Sequence, residues 1–233
     1  MNILGFIPAR SGSLGIKNKN MALLNKRPLI YYTLDIAKKI KRDVFPFVST
    51  DSEKIRKYCE KMGFKTNYVR PKILSGDRSP IFNVIKHGLY WLNKKEKKIF
   101  DAVLLIQPTS PLREITELRR AIKKFKKQNL KSLISVTRMK EHPYECIKFN
   151  NGKWNYMAKN PRKNNSGRQV YKKNFYFIDG SFYLAKVDFL LKNKGFINRK
   201  NTKIFILKKN WPIDVDTKDD LLVASSFMKK IRK

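Results

Sequence analysis

The chain has 233 residues, 42% hydrophobic and 12% aromatic, and its 53 Lys and Arg against 18 Asp and Glu give a formal net charge of +35. That apolar content excludes a disordered chain, and no apolar run approaches the roughly 18 residues that span a bilayer. Residues 1–9 lack the basic start and apolar core of a secretory signal, and Cys59 and Cys146 have no metal-ligand spacing, so a cytoplasmic globular protein without a disulfide framework or zinc site is expected.

The chain opens with a strand-like segment, NILGFI (2–7), followed by a small-residue loop, PARSGSLGIKNKN (8–20). Leu29, Tyr32, Ile36 and Ile40 then recur at helical spacing, with Pro28 suited to the first turn of a helix over 28–41. DVFPFVST (43–50) is a strand, and DSEKIRKYCEKMG (51–63) is a helix capped by Asp51 or Ser52 and ended by Gly63. A helix near 80–93 precedes the strand AVLLIQ (102–107) and the turn PTSPLR (108–113). The next helix, 114–128, carries Ile115, Leu118, Ile122 and Phe125 on one face, and SLISVTR (132–138) is a strand.

This alternation predicts an α/β fold with a doubly wound, mostly parallel sheet. The rhythm breaks over 141–180, which reads as an excursion from the sheet, an arm, lid or dimerisation element. Strand character returns at SFYLAK (181–186) and KIFILKK (203–209), and a helix capped by Thr217 closes the chain over 217–231. One domain spanning 1–233 with an insertion is expected.

Lysine and arginine runs occur throughout, among them KKIKR (38–42), KKEKK (94–98) and KKFKK (123–127). Such charge fits a nucleic-acid partner. However, most runs lie on the polar sides of amphipathic segments and are not interleaved with aromatic residues as a base-stacking platform would be. A second use of the field is to attract a small polyanion such as a nucleoside triphosphate.

Three segments carry chemistry. In the first loop, Gly12 and Gly15 with Ser11 and Ser13 leave backbone N–H groups free to wrap an anion, and Arg10, Lys17 and Lys19 add charge. Neither the dinucleotide nor the Walker glycine spacing is present. In WPIDVDTKDD (211–220), four of the scarce acids fall within seven residues. On an extended segment Asp214 and Asp216 share one side, and two carboxylates about 7 Å apart favour a cation such as Mg²⁺ with substrate phosphates. Surface ion pairs with lysines are the plain alternative, while Asp219 and Asp220 suit a helix's first turn. In LLIQPTSPLR (104–113), Gln107 ends a buried strand where ligands sit in open α/β sheets. His87 reads as a packed or half-exposed helical residue.

These segments, with STD (49–51), RP (70–71), EHPY (141–144), GRQ (167–169), DGSFY (179–183) and IDVDTKDDL (213–221), occur in the order and spacing of a known family. The chain resembles the CMP-N-acylneuraminate cytidylyltransferases from residue 3 to about 225. The resemblance implies a nucleotide-diphospho-sugar transferase-like, Rossmann-like fold. It also implies transfer of CMP from CTP to the anomeric 2-hydroxyl of a nine-carbon 2-keto-3-deoxy sugar acid of sialic, legionaminic or pseudaminic type, with release of pyrophosphate. It places Arg10, Ser11, Gly12, Ser13, Gly15, Lys19, Asn20, Arg70, Ser79 and Gln107 around the nucleotide, with Lys19 the transition-state cation. Asp214 and Asp216 become ligands of Mg²⁺ or Mn²⁺. Gln107, Arg168 and Tyr183 fall on the sugar side, and a homodimer whose arm reaches the neighbour's site is implied.

The chain departs from the family pattern at Leu14, where a lysine is usual and Lys17 is the candidate replacement. It departs again at Glu145, at Phe177 and at Asp179, an acid where a neutral amide is usual. The rival enzymes are a ketodeoxyoctonate cytidylyltransferase or a relative using another nucleotide. The rival from another class is a basic nucleic-acid-binding protein on the same scaffold, against which the aspartate pair argues because clustered carboxylates repel phosphate.

Overall fold

A computed structural model describes residues 1–13, 15–139, 141–158, 175–208 and 213–231 of the chain. Strand β1 (Ile3–Pro8) leads through the loop and a 3₁₀ turn (Lys19–Met21) into a small hairpin of β2 (Leu23–Leu24) and β3 (Arg27–Pro28). The hairpin turns at Asn25 and Lys26, both with positive φ, the conformation that a tight two-residue hairpin turn requires. Pro28 therefore ends a strand and precedes helix α1 (Leu29–Lys39), one residue outside the helix expected to contain it.

The expected alternation follows as β4 (Phe45–Ser49), α2 (Glu53–Lys61), α3 (Ile81–Glu96), β5 (Ala102–Leu105), α4 (Ile115–Lys127) and β6 (Ser132–Arg138). Ser52 caps α2, its side chain accepting from the Ile55 N–H at 3.3 Å, and Gly63 follows with φ +85°, both as expected. After β6, the segment that breaks the rhythm holds a hairpin of β7 (Ile147–Asn150) and β8 (Lys153–Tyr156). The chain then returns as β9 (Tyr176–Lys186), followed by α5 (Val187–Asn193), β10 (Thr202–Ile206) and α6 (Lys218–Ile231).

The main sheet has six strands in the order β10-β6-β9-β5-β1-β4. All pairings are parallel except those of β9, which runs antiparallel to both β5 and β6. Strand β9 begins earlier than its pattern suggested, at Tyr176 opposite Arg138. A register shift between Ile134 and Val136, with Gly180 at φ +73°, interrupts its alternation and hides residues 176–180 from a period-two reading. Helix α5 was not expected at all.

Alternating strand residues face two cores. Ile3, Ile7, Val48, Leu104, Leu133 and Leu184 pack with α1, α2 and α4. Leu4, Phe6, Phe47, Val103, Leu105 and Ala185 pack with α3 and α5 on the other face. Covering both faces is what makes these strands continuously apolar. Helix α6 closes a smaller cluster with Ile16, Leu24, Leu29 and Val215. No helix among the described residues is long and apolar enough to cross a membrane.

Candidate active site

The carboxyl ends of β1, β4 and β5 are adjacent in the sheet, and the loops leaving them surround a cleft of about 230 Å³. The first loop supplies Arg10, Gly12, Ser13, Lys19 and Asn20 to its wall. Arg70 and Ser79 enter from the segments after β4, Gln107 from the end of β5, and Asp214 and Asp216 from the approach to α6. The cationic loop and the aspartate pair, separated by nearly the whole sequence, thus share one cavity.

They are joined directly. Lys19 Nζ lies 2.6 Å from Asp216 Oδ1, with the lysine side chain 14% exposed and the aspartate 70%. Gly15 fits against the same edge so closely that a Cβ there would fall 2.1 Å from the Asp216 carbonyl oxygen. The Val215 N–H donates to the Thr109 carbonyl at 2.8 Å and its side chain is buried, so the aspartates on either side of it face the cleft. Asp220 Oδ2 accepts from the Asp216 and Thr217 N–H groups at 3.0 and 2.7 Å, while Thr217 Oγ1 accepts from the Asp220 N–H at 3.2 Å. This reciprocal cap gives Asp220 the helix-starting role expected of it.

The Asp214 carboxylate opens onto the cleft but is ringed by protein. That partial loss of solvent pushes its pKa above the usual carboxylate range, aided by the charge of Asp216. A hydrogen bond from Thr109 and the charges of Lys19 and Arg113 pull the other way. Asp214 and Asp216 are two cleft-facing carboxylates, a donor set that could hold an ion such as Mg²⁺ or Mn²⁺. Such ions take one or two carboxylates and fill the rest of their shell with phosphate and water. The Lys19 ammonium places a positive charge beside Asp216.

The other expected residues divide. Asn20 is buried and its amide donates to the Arg10 carbonyl at 2.9 Å, bracing the loop. Arg10 forms an ion pair with Asp77 and reaches the Ser75 carbonyl, tying the loop to the segment that carries Ser79. Arg70 is 4% exposed and held by Ser49; burial draws its pKa down, while Tyr68 and Asp51 support the charge. Ser11 does not line the cleft, because its N–H and hydroxyl both donate to Asp51, at 2.8 and 2.6 Å. Lys17 is exposed and does not line the cleft. Tyr183 lies within β9, packed against Phe196 at 5.7 Å between ring centroids, and not on this wall. Leu14 and Arg168 lie outside the described residues.

One residue that the sequence did not single out backs the site. Arg113 is buried behind it, donating to the Ser181 carbonyl at 2.5 Å, the Gln107 carbonyl at 2.9 Å and Thr33 Oγ1 at 3.3 Å. Burial brings its pKa down to about 10 against the pull of Asp179 and Asp214. Asp179, the unusual acid, is 3% exposed, and its Oδ1 accepts from Ser135 Oγ at 2.6 Å and the Ser181 N–H at 2.8 Å. It serves the β9 bulge and not the cleft wall.

The sequence matches the family described as Cytidylyltransferase over residues 4–225. The chain belongs to this cytidylyltransferase family. Among its relatives, post-translational flagellin modification protein B of Campylobacter coli is 31% identical over 98% of this chain and 95% of its own length. The CMP-N,N'-diacetyllegionaminic acid synthase of Legionella pneumophila is 28% identical over 98% of this chain and 97% of its own. The N-acylneuraminate cytidylyltransferase of Streptococcus agalactiae serotype V is 27% identical, and this chain spans 52% of its length. The fold of this cytidylyltransferase is shared with a CMP:2-keto-3-deoxy-manno-octonic acid synthetase solved in complex with CTP. The TM-score is 0.74 at 15% identity, covering 99% of this chain and 100% of that one.

Proposed function

We propose that the chain is a CMP-sugar synthetase that transfers CMP from CTP to the anomeric 2-hydroxyl of a nine-carbon 2-keto-3-deoxy sugar acid of the sialic, legionaminic or pseudaminic type. The observation that carries this reading is the single cleft shared by the cationic loop and Asp214 and Asp216, bridged by Lys19 and Asp216 at 2.6 Å. The sugar class comes from relatives of known name, one a legionaminic and one an acylneuraminic acid enzyme.

In the reaction, the sugar hydroxyl oxygen bonds to the α-phosphorus of CTP, the bond to the bridging oxygen of the β-phosphate breaks, pyrophosphate leaves and the hydroxyl proton is released. Such chemistry needs positioning and charge stabilisation above all. Gly12, Ser13, Lys19 and Arg10 cradle the triphosphate, and Lys19 meets the charge that builds as pyrophosphate departs. Arg70, Ser79 and Asn20 hold the nucleoside end and the loop, and Gln107 faces the junction with the sugar. A divalent ion held by Asp214 and Asp216 supplies charge neutralisation of the triphosphate when bound. Arg113 acts from behind, fixing the Gln107 backbone and offsetting the negative charge of Asp214.

We also propose that the excursion expected over 141–180, which rejoins the sheet where β9 begins at Tyr176, is an arm on a single nucleotidyltransferase domain, and that a homodimer is built through it. The β7–β8 pairing sets Ile147 against Tyr156 and Phe149 against Trp154, and each of the four is more than half exposed. A contiguous apolar patch of this kind marks an interaction surface. A CTP-consuming synthetase of this type is expected in the cytoplasm. The test is pyrophosphate release from each of the four NTPs with a panel of nine- and eight-carbon keto acids. Turnover only with CTP and a nine-carbon acid is expected; preference for an eight-carbon acid or another nucleotide overturns the assignment.

A further inference from the structure

Arg70 holds its place in the cleft through partners outside it. Its Nε donates to Ser49 Oγ at 3.0 Å and its Nη2 to the Ser49 carbonyl at 2.5 Å. Behind Ser49 stands Tyr68, fully buried; burial pushes its pKa up, while the neighbouring Ser49 hydroxyl and the Arg70 charge draw it down. The Tyr68 hydroxyl lies 3.0 Å from Nδ1 of His87 on helix α3. Two hydrogen-bonded pairs, Arg70 with Ser49 and Tyr68 with His87, thus stand next to each other in one polar row.

Its surroundings are aromatic. The Tyr68 ring packs 5.0 Å from Phe47 and 5.4 Å from Trp91. A buried hydroxyl in such a layer is costly unless it is bonded, and here both of its neighbours in the row are polar. Helix α3 also reaches the cleft, where Ile81 and Val84 form part of the wall. It packs directly on the sheet at Gly88, next to His87, where a Cβ would fall 2.8 Å from the Phe6 ring.

We propose that Tyr68 and His87 are positioning residues for the nucleotide. Their hydrogen bond orients the Ser49 hydroxyl, the Ser49 hydroxyl orients the Arg70 guanidinium, and the whole row ties the Arg70 wall of the cleft to the α3 wall. Ser49 can accept from Arg70 and still exchange a hydrogen bond with Tyr68, since a hydroxyl has one proton and two lone pairs. The cleft is thus set to its working width before a ligand arrives. This inference rests on the nucleotide reading of the cleft.

The experiment is calorimetric titration of the full chain with CTP in Mg²⁺, comparing wild type with Tyr68→Phe, His87→Leu, the double variant and His87→Asn. Tyr68→Phe and His87→Leu are expected to raise the CTP Kd about three- to tenfold, the scale of one net hydrogen bond. The double variant should be no weaker than either single one. His87→Asn should return within about twofold of wild type, because its amide can accept from or donate to the Tyr68 hydroxyl in place of Nδ1. A purely structural role would lower Tm in all of them without this pattern in Kd. His87 is half-buried, so its variants can be read even where Tyr68→Phe folds poorly. If CTP binds wild type and the single variants equally, or if their losses add, the positioning role is overturned. If wild type itself does not bind CTP, the nucleotide reading fails first and takes this inference with it.

Discussion

Gly15→Ala puts the convergence of the loop and the aspartate edge under direct strain. The added methyl would lie 2.1 Å from the Asp216 carbonyl oxygen and 3.2 Å from its carbon. A tolerable carbon–oxygen contact is about 3.3 Å, so the two backbones must part by about 1 Å. The Lys19–Asp216 bridge spans the same gap at 2.6 Å and would be stretched with it. A misplacement of about 1 Å costs roughly 10²-fold in turnover. Local overpacking costs about 1–3 kcal/mol, which for a chain of this size lowers Tm by about 2–12 °C and leaves the protein folded at 25 °C. The assay is kcat/KM from pyrophosphate release, with thermal melts and a Gly195→Ala control, whose Cβ would meet nothing closer than 3.9 Å. A Gly15→Ala enzyme as active as wild type would refute the claim that these two backbones must touch for catalysis.

Asp216→Asn is expected to abolish Mg²⁺-supported turnover while leaving the melting transition within a few degrees, because Asp216 is exposed and its partner Lys19 remains partly solvated; unchanged kcat would remove it from the metal site. Lys19→Ala should lower kcat by roughly 10²–10³, the scale of one charge-stabilising donor, whereas a loss seen only in KM would make Lys19 a binding residue. Burial pushes the Cys59 thiol up to about 12 from a reference of 9.0. Its neutral form therefore stabilises the fold fully below about pH 9, and this contribution, up to about 4 kcal/mol, is lost as pH rises toward 12. Urea midpoints should accordingly fall more steeply between pH 8.5 and about pH 11 in wild type than in Cys59→Ala; parallel slopes would contradict the burial.

Much of this was legible before any coordinates. Helical spacing and caps located α1 through α4 within a few residues, since the signals are local. The loop and the aspartate pair stood out because glycines amid cations, and acids in a lysine-rich chain, are conspicuous against their background. Other features, helix α5 among them, were not legible. The direction of β9 is one, because a period-two pattern reads the same in either sense, and the bulge at Gly180 erased even that pattern over its first residues. Arg113 is another: in the sequence it is one more arginine among many, and it becomes a buried cation only when Ser181, 68 positions away, folds over it. Tyr183 was expected in a strand and assigned to the sugar side by likeness alone, but its packing on Phe196 could not be read from spacing.

The reversed strand also bears on how this scaffold tolerates change. Because β9 runs against β6, the segment between them leaves and re-enters at neighbouring points, Arg138 beside Tyr176, with the Met139 N–H donating to the Phe175 carbonyl at 3.0 Å. Both anchor points sit at the same end of the sheet as the cleft. Whatever is spliced between them, longer, shorter or differently charged, asks no strand to shift register and leaves Lys19, Asp214 and Asp216 undisturbed. A change of length at this point therefore alters the excursion without re-pairing the strands that carry the phosphate side of the cleft.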